Sequence, residues 1–99
     1  MITVIVASET GSTVAVPSNM DLVLWGFSAA ETSSGGATAE CVIRHGVSTA
    51  GPMIFAPINF ATDGFAYPTF LPRPYQCPNG IYIERRSGET TLVLYVDYQ

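Results

Sequence analysis

Gly80-Ile81-Tyr82-Ile83-Glu84-Arg85-Arg86-Ser87-Gly88-Glu89-Thr90-Thr91-Leu92-Val93-Leu94-Tyr95-Val96-Asp97-Tyr98 holds two runs of β-branched and aromatic residues around a polar segment with one glycine. The pattern predicts a β-hairpin. Side chains alternate across a strand, so Ile81 and Ile83 point one way while Tyr82 and Glu84 point the other. In the second run Leu92, Leu94 and Val96 share a face, and Val93, Tyr95 and Asp97 take the opposite one. A hairpin with one oily face is marginal by itself. The rest of the chain must supply strands to cover it.

Those strands can be found upstream. Ile2, Val4 and Val6 alternate with Thr3 and Ile5, and after a Ser8–Ser12 turn Thr13–Val16 forms a second short strand, in position to pair with the first. Leu22–Ala29 is apolar throughout, as a strand covered on both faces would be, and Gly26 within it signals a bulge or close backbone approach. After the Thr32–Gly36 loop, Ala39, Cys41 and Ile43 face one way and Val42 and Arg44 the other. Met53 to Phe60 reads as a fifth strand broken by Pro57, hence an edge or a bulge. Ala61 to Asn79 is rich in proline and aromatic residues and reads as a long irregular segment, with room for a short strand at Phe65–Phe70. No 3.6-residue apolar period persists for three turns. The expectation is an all-β fold: one antiparallel β-sandwich or jelly-roll-like domain over residues 1–99, with six to eight short strands.

Composition narrows the function classes. The 99 residues are 47% hydrophobic and only 12% charged, which argues against disorder and leaves a surface poor in charge. The four cations are all arginine, with no lysine. Arginine is enriched and lysine depleted in protein interfaces. A net charge of −4 opposes non-specific nucleic-acid binding, which needs clustered cations, and Arg85-Arg86 is too small a patch to reverse that. No apolar run reaches the roughly 18 residues of a bilayer span, so no membrane partner is expected. Met1–Ala7 lacks the basic start of a secretory signal, and the expectation is synthesis in the cytosol without export. Cys41 and Cys77 then read as buried free thiols.

No catalytic, metal or cofactor site is expected. Cys41 and His45 are four positions apart, which on a strand separates them by roughly 13 Å, too far for one ion. His45 is the only histidine. With Ser28 or Cys77 and Asp63 it makes no recognisable nucleophile motif, and it reads as a partly exposed loop-border residue. Glu31, Glu40, Asp63, Glu84 and Glu89 fall in or near loops or on outer strand faces, and a sandwich of this size offers no cleft to hold two of them across a sugar. Tyr82 and Tyr95 read as core-edge packing. Phe65, Tyr67, Phe70, Arg73 and Tyr75, in the proline-rich segment, are the candidate partner interface, because aromatic rings and arginine concentrate where proteins dock.

A resemblance adds to this reading. Val23-Leu24-Trp25-Gly26-Phe27-Ser28-Ala29-Ala30-Glu31-Thr32, Cys41-Val42-Ile43-Arg44-His45-Gly46, Gly51-Pro52 and Asn79-Gly80-Ile81-Tyr82-Ile83-Glu84 resemble small β-sandwich virion proteins of tailed bacteriophages. In those proteins a strand of the form Gly-Ile-Tyr-Ile/Val-Glu precedes a Ser-Gly turn and a last strand ending in Val-Tyr-type residues. The resemblance implies a capsid decoration (cement) protein on the capsid surface. Such a protein binds the major capsid protein or another virion protein and stabilises the head as a homo-oligomer, a trimer being favoured. It carries over no functional residues. The alternative is a host-attachment module that stacks carbohydrate on Trp25 or on the loop tyrosines.

Overall fold

The computed structural model describes residues 2–9, 11–32, 38–60 and 64–98; the side chains of Ser8, Glu9, Phe65, Ala66 and Tyr67 lie outside the description. The described residues form eight strands: β1 (Ile2–Glu9), β2 (Thr13–Val16), β3 (Leu22–Glu31), β4 (Ala39–His45), β5 (Ile58–Phe60), β6 (Phe65–Cys77), β7 (Ile81–Ser87) and β8 (Thr90–Tyr98). They build two antiparallel four-stranded sheets, in the orders β1-β8-β3-β6 and β2-β7-β4-β5. Strands β1, β2, β3 and β4 pair with β8, β7, β6 and β5 in turn. The chain is thus one long antiparallel ribbon, turned back on itself between β4 and β5 and wound over into a sandwich. That is the jelly-roll topology, as the sequence predicts.

The alternation predicted from the sequence sets the core. Ile81 and Ile83 of β7, Leu92, Leu94 and Val96 of β8, and Ala39, Cys41 and Ile43 of β4 all point inward with Leu22, Leu24, Phe27 and Ala29 of β3. Each large aliphatic side chain buried in this layer contributes about 1.5–3 kcal/mol relative to exposure. Phe55, from the connection after β4, meets Phe27 edge-on at 4.7 Å between centroids. Cys41 and Cys77 are buried free thiols on opposite sheets, as expected. Burial pushes each thiol up to about 11, an effect the Arg85 guanidinium partly opposes at Cys41. Both stay protonated and unreactive near neutral pH.

Two expectations are corrected. The Gly80–Tyr98 stretch is not a hairpin, because β7 and β8 lie in opposite sheets and the turn between them is an arch across the core. The first two strands do not pair with one another either; β1 joins β8 and β2 joins β7. Alternation fixes which face of a strand is oily, and that face is buried equally well beside a neighbour or opposite one. Gly88 belongs to the arch: its φ is +70°, and a Cβ there would lie 2.6 Å from the Thr38 carbonyl oxygen.

The proline-rich segment is also not irregular. Phe65–Cys77 is the 13-residue strand β6, which lies at the edge of its sheet against β3. Its ladder skips in two places: four residues, Leu71 to Pro74, stand between the partners of Leu24 and Gly26, and Tyr67-Pro68 falls at the second skip. Pro68, Pro72 and Pro74 all sit in these skips, where a missing N–H costs no ladder bond. Pro57 precedes β5, which lies at a sheet edge as expected, but the strand is only Ile58–Phe60: Met53 makes an isolated bridge to Arg44, and Ile54–Ala56 are not strand, so the predicted Met53–Phe60 strand is shorter than expected.

Candidate contact surface

The outer faces of the two sheets differ in chemistry. On β4 and β7, Glu40, Glu84, Arg44 and Arg86 form a chain of ion pairs. Arg86 Nη1 reaches Glu40 Oε2 at 2.9 Å and its Nε lies 3.5 Å from Glu84 Oε1, which Arg44 Nη2 also meets at 2.9 Å. Arg44 Nη1 donates to the Gly51 carbonyl at 2.8 Å and so holds the connection after β4 against the strand. Arg44 and Arg86 thus spend their charge within their own sheet.

The outer face of β1, β8 and β3 carries rings and aliphatic groups. Tyr95 sits between Thr3 of β1 and Gly26 of β3, with Phe70 of β6 on the far side of Gly26. Because Gly26 has no side chain, the Phe70 and Tyr95 rings meet across it at 5.2 Å, tilted by 36°. A Cβ on Gly26 would lie 2.8 Å from the Phe70 ring and would also collide with the Thr69 carbonyl. The ladder shifts at this point against both neighbouring strands, so Gly26 marks a bulge, as the sequence predicts, and Trp25 is its extra residue. Trp25 Nε1 donates to Asp97 Oδ2 at 2.9 Å, and Ser28 Oγ and the Tyr95 hydroxyl share a 3.2 Å hydrogen bond. These bonds fix two of the rings. Val93 sits beside Ile5, which is 70% exposed, and Phe70 is 53% exposed. Among the described side chains of β1, β8 and β3, Asp97 is the only charged group on this face.

The candidate interface residues divide. Phe70 lies on the ring-bearing face, and Arg73 is exposed in the longer skip of β6. Tyr75 pairs opposite Leu24 and packs against the core, its ring 5.7 Å from His45 and edge-on to it. It is half-buried, unlike the loop tyrosine of the sequence reading. Phe65 is placed opposite Ala30 by its backbone, but its side chain and that of Tyr67 lie outside the described residues. The candidate interface named from the sequence lacks Tyr95 and Ile5, although alternation with Leu94 and Val4 puts them on an outer face, and lacks Trp25, because the apolar run Leu22–Ala29 reads as covered on both faces; in the structure its outer face is partly exposed.

His45 Nε2 accepts the Asn79 N–H at 3.3 Å, which ties the end of β4 to the turn before β7. Asp63 lies outside the described residues, and Glu31, the last residue of β3, is buried. Among the described residues no three His, Cys, Asp or Glu side chains gather where they could hold a metal ion, and no helix is long and apolar enough to cross a membrane. No protein-family model, curated protein or solved structure matches the chain.

Proposed function

We propose that this chain is a non-enzymatic bacteriophage virion structural protein, a capsid decoration (cement) protein. It docks on the major capsid protein lattice, or on another virion protein, through the outer face of the β1-β8-β3-β6 sheet, and so stabilises the head. The observation that carries this reading is the contrast between the two outer faces. One carries an ion-pair ladder beside Tyr82 and Val14; the other presents Ile5, Val93, Tyr95, Trp25 and Phe70, and among the described side chains of β1, β8 and β3 its single carboxylate is already bonded to Trp25. Rings held by hydrogen bonds lose little entropy on docking, and aromatic anchors dominate interface energies. The absence of lysine and the resemblance to small phage β-sandwich proteins support the same reading. A jelly roll is an architecture of viral capsid and lectin domains, which is analogy of fold alone.

The test is cosedimentation with assembled heads, set against dispersed shell subunits. The protein is expected to pellet with heads, and Phe70→Asp, a change at an exposed ring, to weaken binding at least tenfold, or about 1.4 kcal/mol. Failure to bind any particle, or undiminished binding by Phe70→Asp, overturns the proposal. Glycan binding through the same rings without particle binding replaces it with the host-attachment reading.

A further inference from the structure

A two-sheet sandwich has four edge strands, and a monomer has to keep each from pairing with other chains. Three are blunted here. Strand β6 carries Pro68, Pro72 and Pro74 in its ladder skips, with Arg73 between the last two. Strand β5 is three residues long and follows Pro57. Strand β2 has four residues, with a register shift between Val14 and Val16. Over its first five residues strand β1 has none of these devices: Ile2-Thr3-Val4-Ile5-Val6 contains no proline and no charge, and it keeps an unbroken register with β8 from Ile2↔Val96 to Val6↔Leu92. Its usable edge ends there, because the register shifts beyond Val6 and the Ala7 carbonyl accepts from Arg85 Nη2 at 3.0 Å.

The core is also incompletely covered along this edge. Ile2 is exposed and Val4 only half-buried, although both alternate with the outward Thr3 and Ile5. Between β1 and β2 opens an apolar pocket of about 140 Å³, lined by Ile2, Val4, Ala15, Val16, Met20 and Tyr98 among others.

We propose that the Ile2–Val6 edge is a self-association seam, at which β1 of one copy pairs antiparallel with β1 of a second across a twofold axis. The two four-stranded sheets then become one sheet of eight. The twofold stands perpendicular to the sheet, so each residue keeps its face and the axis must pass through a residue pair. Pairing the whole free segment puts Val4 opposite Val4, Thr3 opposite Ile5 and Ile2 opposite Val6. Outward side chains meet outward ones, the inward apolar ones extend the core, and no like charges oppose, because the segment has none. The partner's Val4 and Val6 land beside the half-open Ile2 and Val4, which gives them an apolar neighbour. The ring-bearing faces of both copies merge into one surface. A seam of five residues a side covers less than the roughly 800 Å² per partner of a standard interface, so the dimer is reversible. A trimer would need a different surface.

This inference does not depend on the virion role, since it is read in solution without particles. Sedimentation velocity on the purified chain is expected to show a concentration-dependent species of twice the 10.6 kDa chain mass. Ile5→Lys, at an outward and 70% exposed position, should weaken it at least tenfold while circular dichroism and Tm stay unchanged. A Thr3→Glu/Ile5→Lys double variant should restore the dimer, because each introduced ammonium then faces the other copy's introduced carboxylate. A wild-type chain that stays monomeric at millimolar concentration, or an Ile5→Lys chain that dimerises as before, overturns the seam. A double variant that stays monomeric overturns the Val4-centred pairing.

Discussion

The Arg85 guanidinium, in a side chain only 6% exposed, donates to the carbonyls of Ala7 at 3.0 Å, Gly11 at 2.9 Å and Thr90 at 2.9 Å, and to Thr13 Oγ1 at 3.3 Å. Its own backbone N–H donates to Ser12 Oγ at 3.3 Å. It thereby ties the β1–β2 crossing to the β7–β8 crossing at one end of the sandwich, where chain leaving a sheet has carbonyls but no ladder partners. Arg86, the next residue, points outward to Glu40 and Glu84. Arg85→Met strands the buried Thr90 carbonyl and frees those of Ala7 and Gly11, and should cost about 2–4 kcal/mol by urea unfolding. Arg86→Met removes only exposed ion pairs to Glu40 and Glu84 and should leave stability nearly unchanged. Arg85→Lys should recover little of the loss, since a compact ammonium cannot span carbonyls on two crossings. Equal effects of the two methionine variants would refute the clasp. The signal was already in the sequence: Arg85 follows Ile81 and Ile83 at the same alternation and so points inward, whereas reading Arg85-Arg86 as a basic patch treats the two as equivalent.

Among the elements, the Gly26 bulge connects backbone geometry to the contact surface. It leaves Trp25 unopposed on β3, lets Phe70 and Tyr95 touch, and brings β6 close enough that any Cβ collides with Thr69 and Phe70. Gly26→Ala must push β6 away, at a cost of about 1–3 kcal/mol by thermal or urea unfolding. The near-UV signal of Trp25 and Tyr95 should change with it; an unaltered spectrum and stability would show that the close approach is dispensable. The glycine and its bulge were legible because an apolar strand has no other use for a glycine at its centre. The faces of all the long strands were legible for the same kind of reason, period-two alternation. The partners were not. Leu92, Leu94 and Val96 are buried equally well by a hairpin beside Ile81 and Ile83 or by an arch that sets the two rows face to face. Strand β6 was hidden because Pro68, Pro72 and Pro74 argue against a regular ladder, and only the skips opposite Trp25 and Ser28 reconcile them with one. The contact surface was half legible. Phe70 stood out as a ring among prolines, while Tyr95 reads as core edge and Trp25 as part of a doubly covered strand until β8 and β3 are set side by side.

For the whole molecule, the ribbon implies an order of assembly. At its closed end Cys41 pairs with Ile58 and Ala39 with Phe60, while at its open end Ile2 pairs with Val96. Loop closure costs about 0.6 kcal/mol more per doubling of loop length, so closing the open end first costs about 1.5 kcal/mol more than closing the tip first. Formation of β4·β5 shortens every later closure, and β7, β3 and β8 can then add in turn along the two sheets. The chain should therefore refold slowly for its size, in about milliseconds to seconds, because even the tip must close a loop before any sheet contact rewards it. Ile43→Val and Phe60→Leu, at the tip, should slow refolding in stopped-flow fluorescence of Trp25 and leave unfolding nearly unchanged. Val6→Ala and Val96→Ala, at the open end, should leave refolding nearly unchanged and speed unfolding. All four side chains are buried, so each change should exceed the roughly 0.6 kcal/mol needed for a reliable ratio of kinetic to equilibrium effect. The reverse pattern, with slowed refolding confined to Val6 and Val96, would mean that β1 and β8 meet first and that the ribbon closes from its ends.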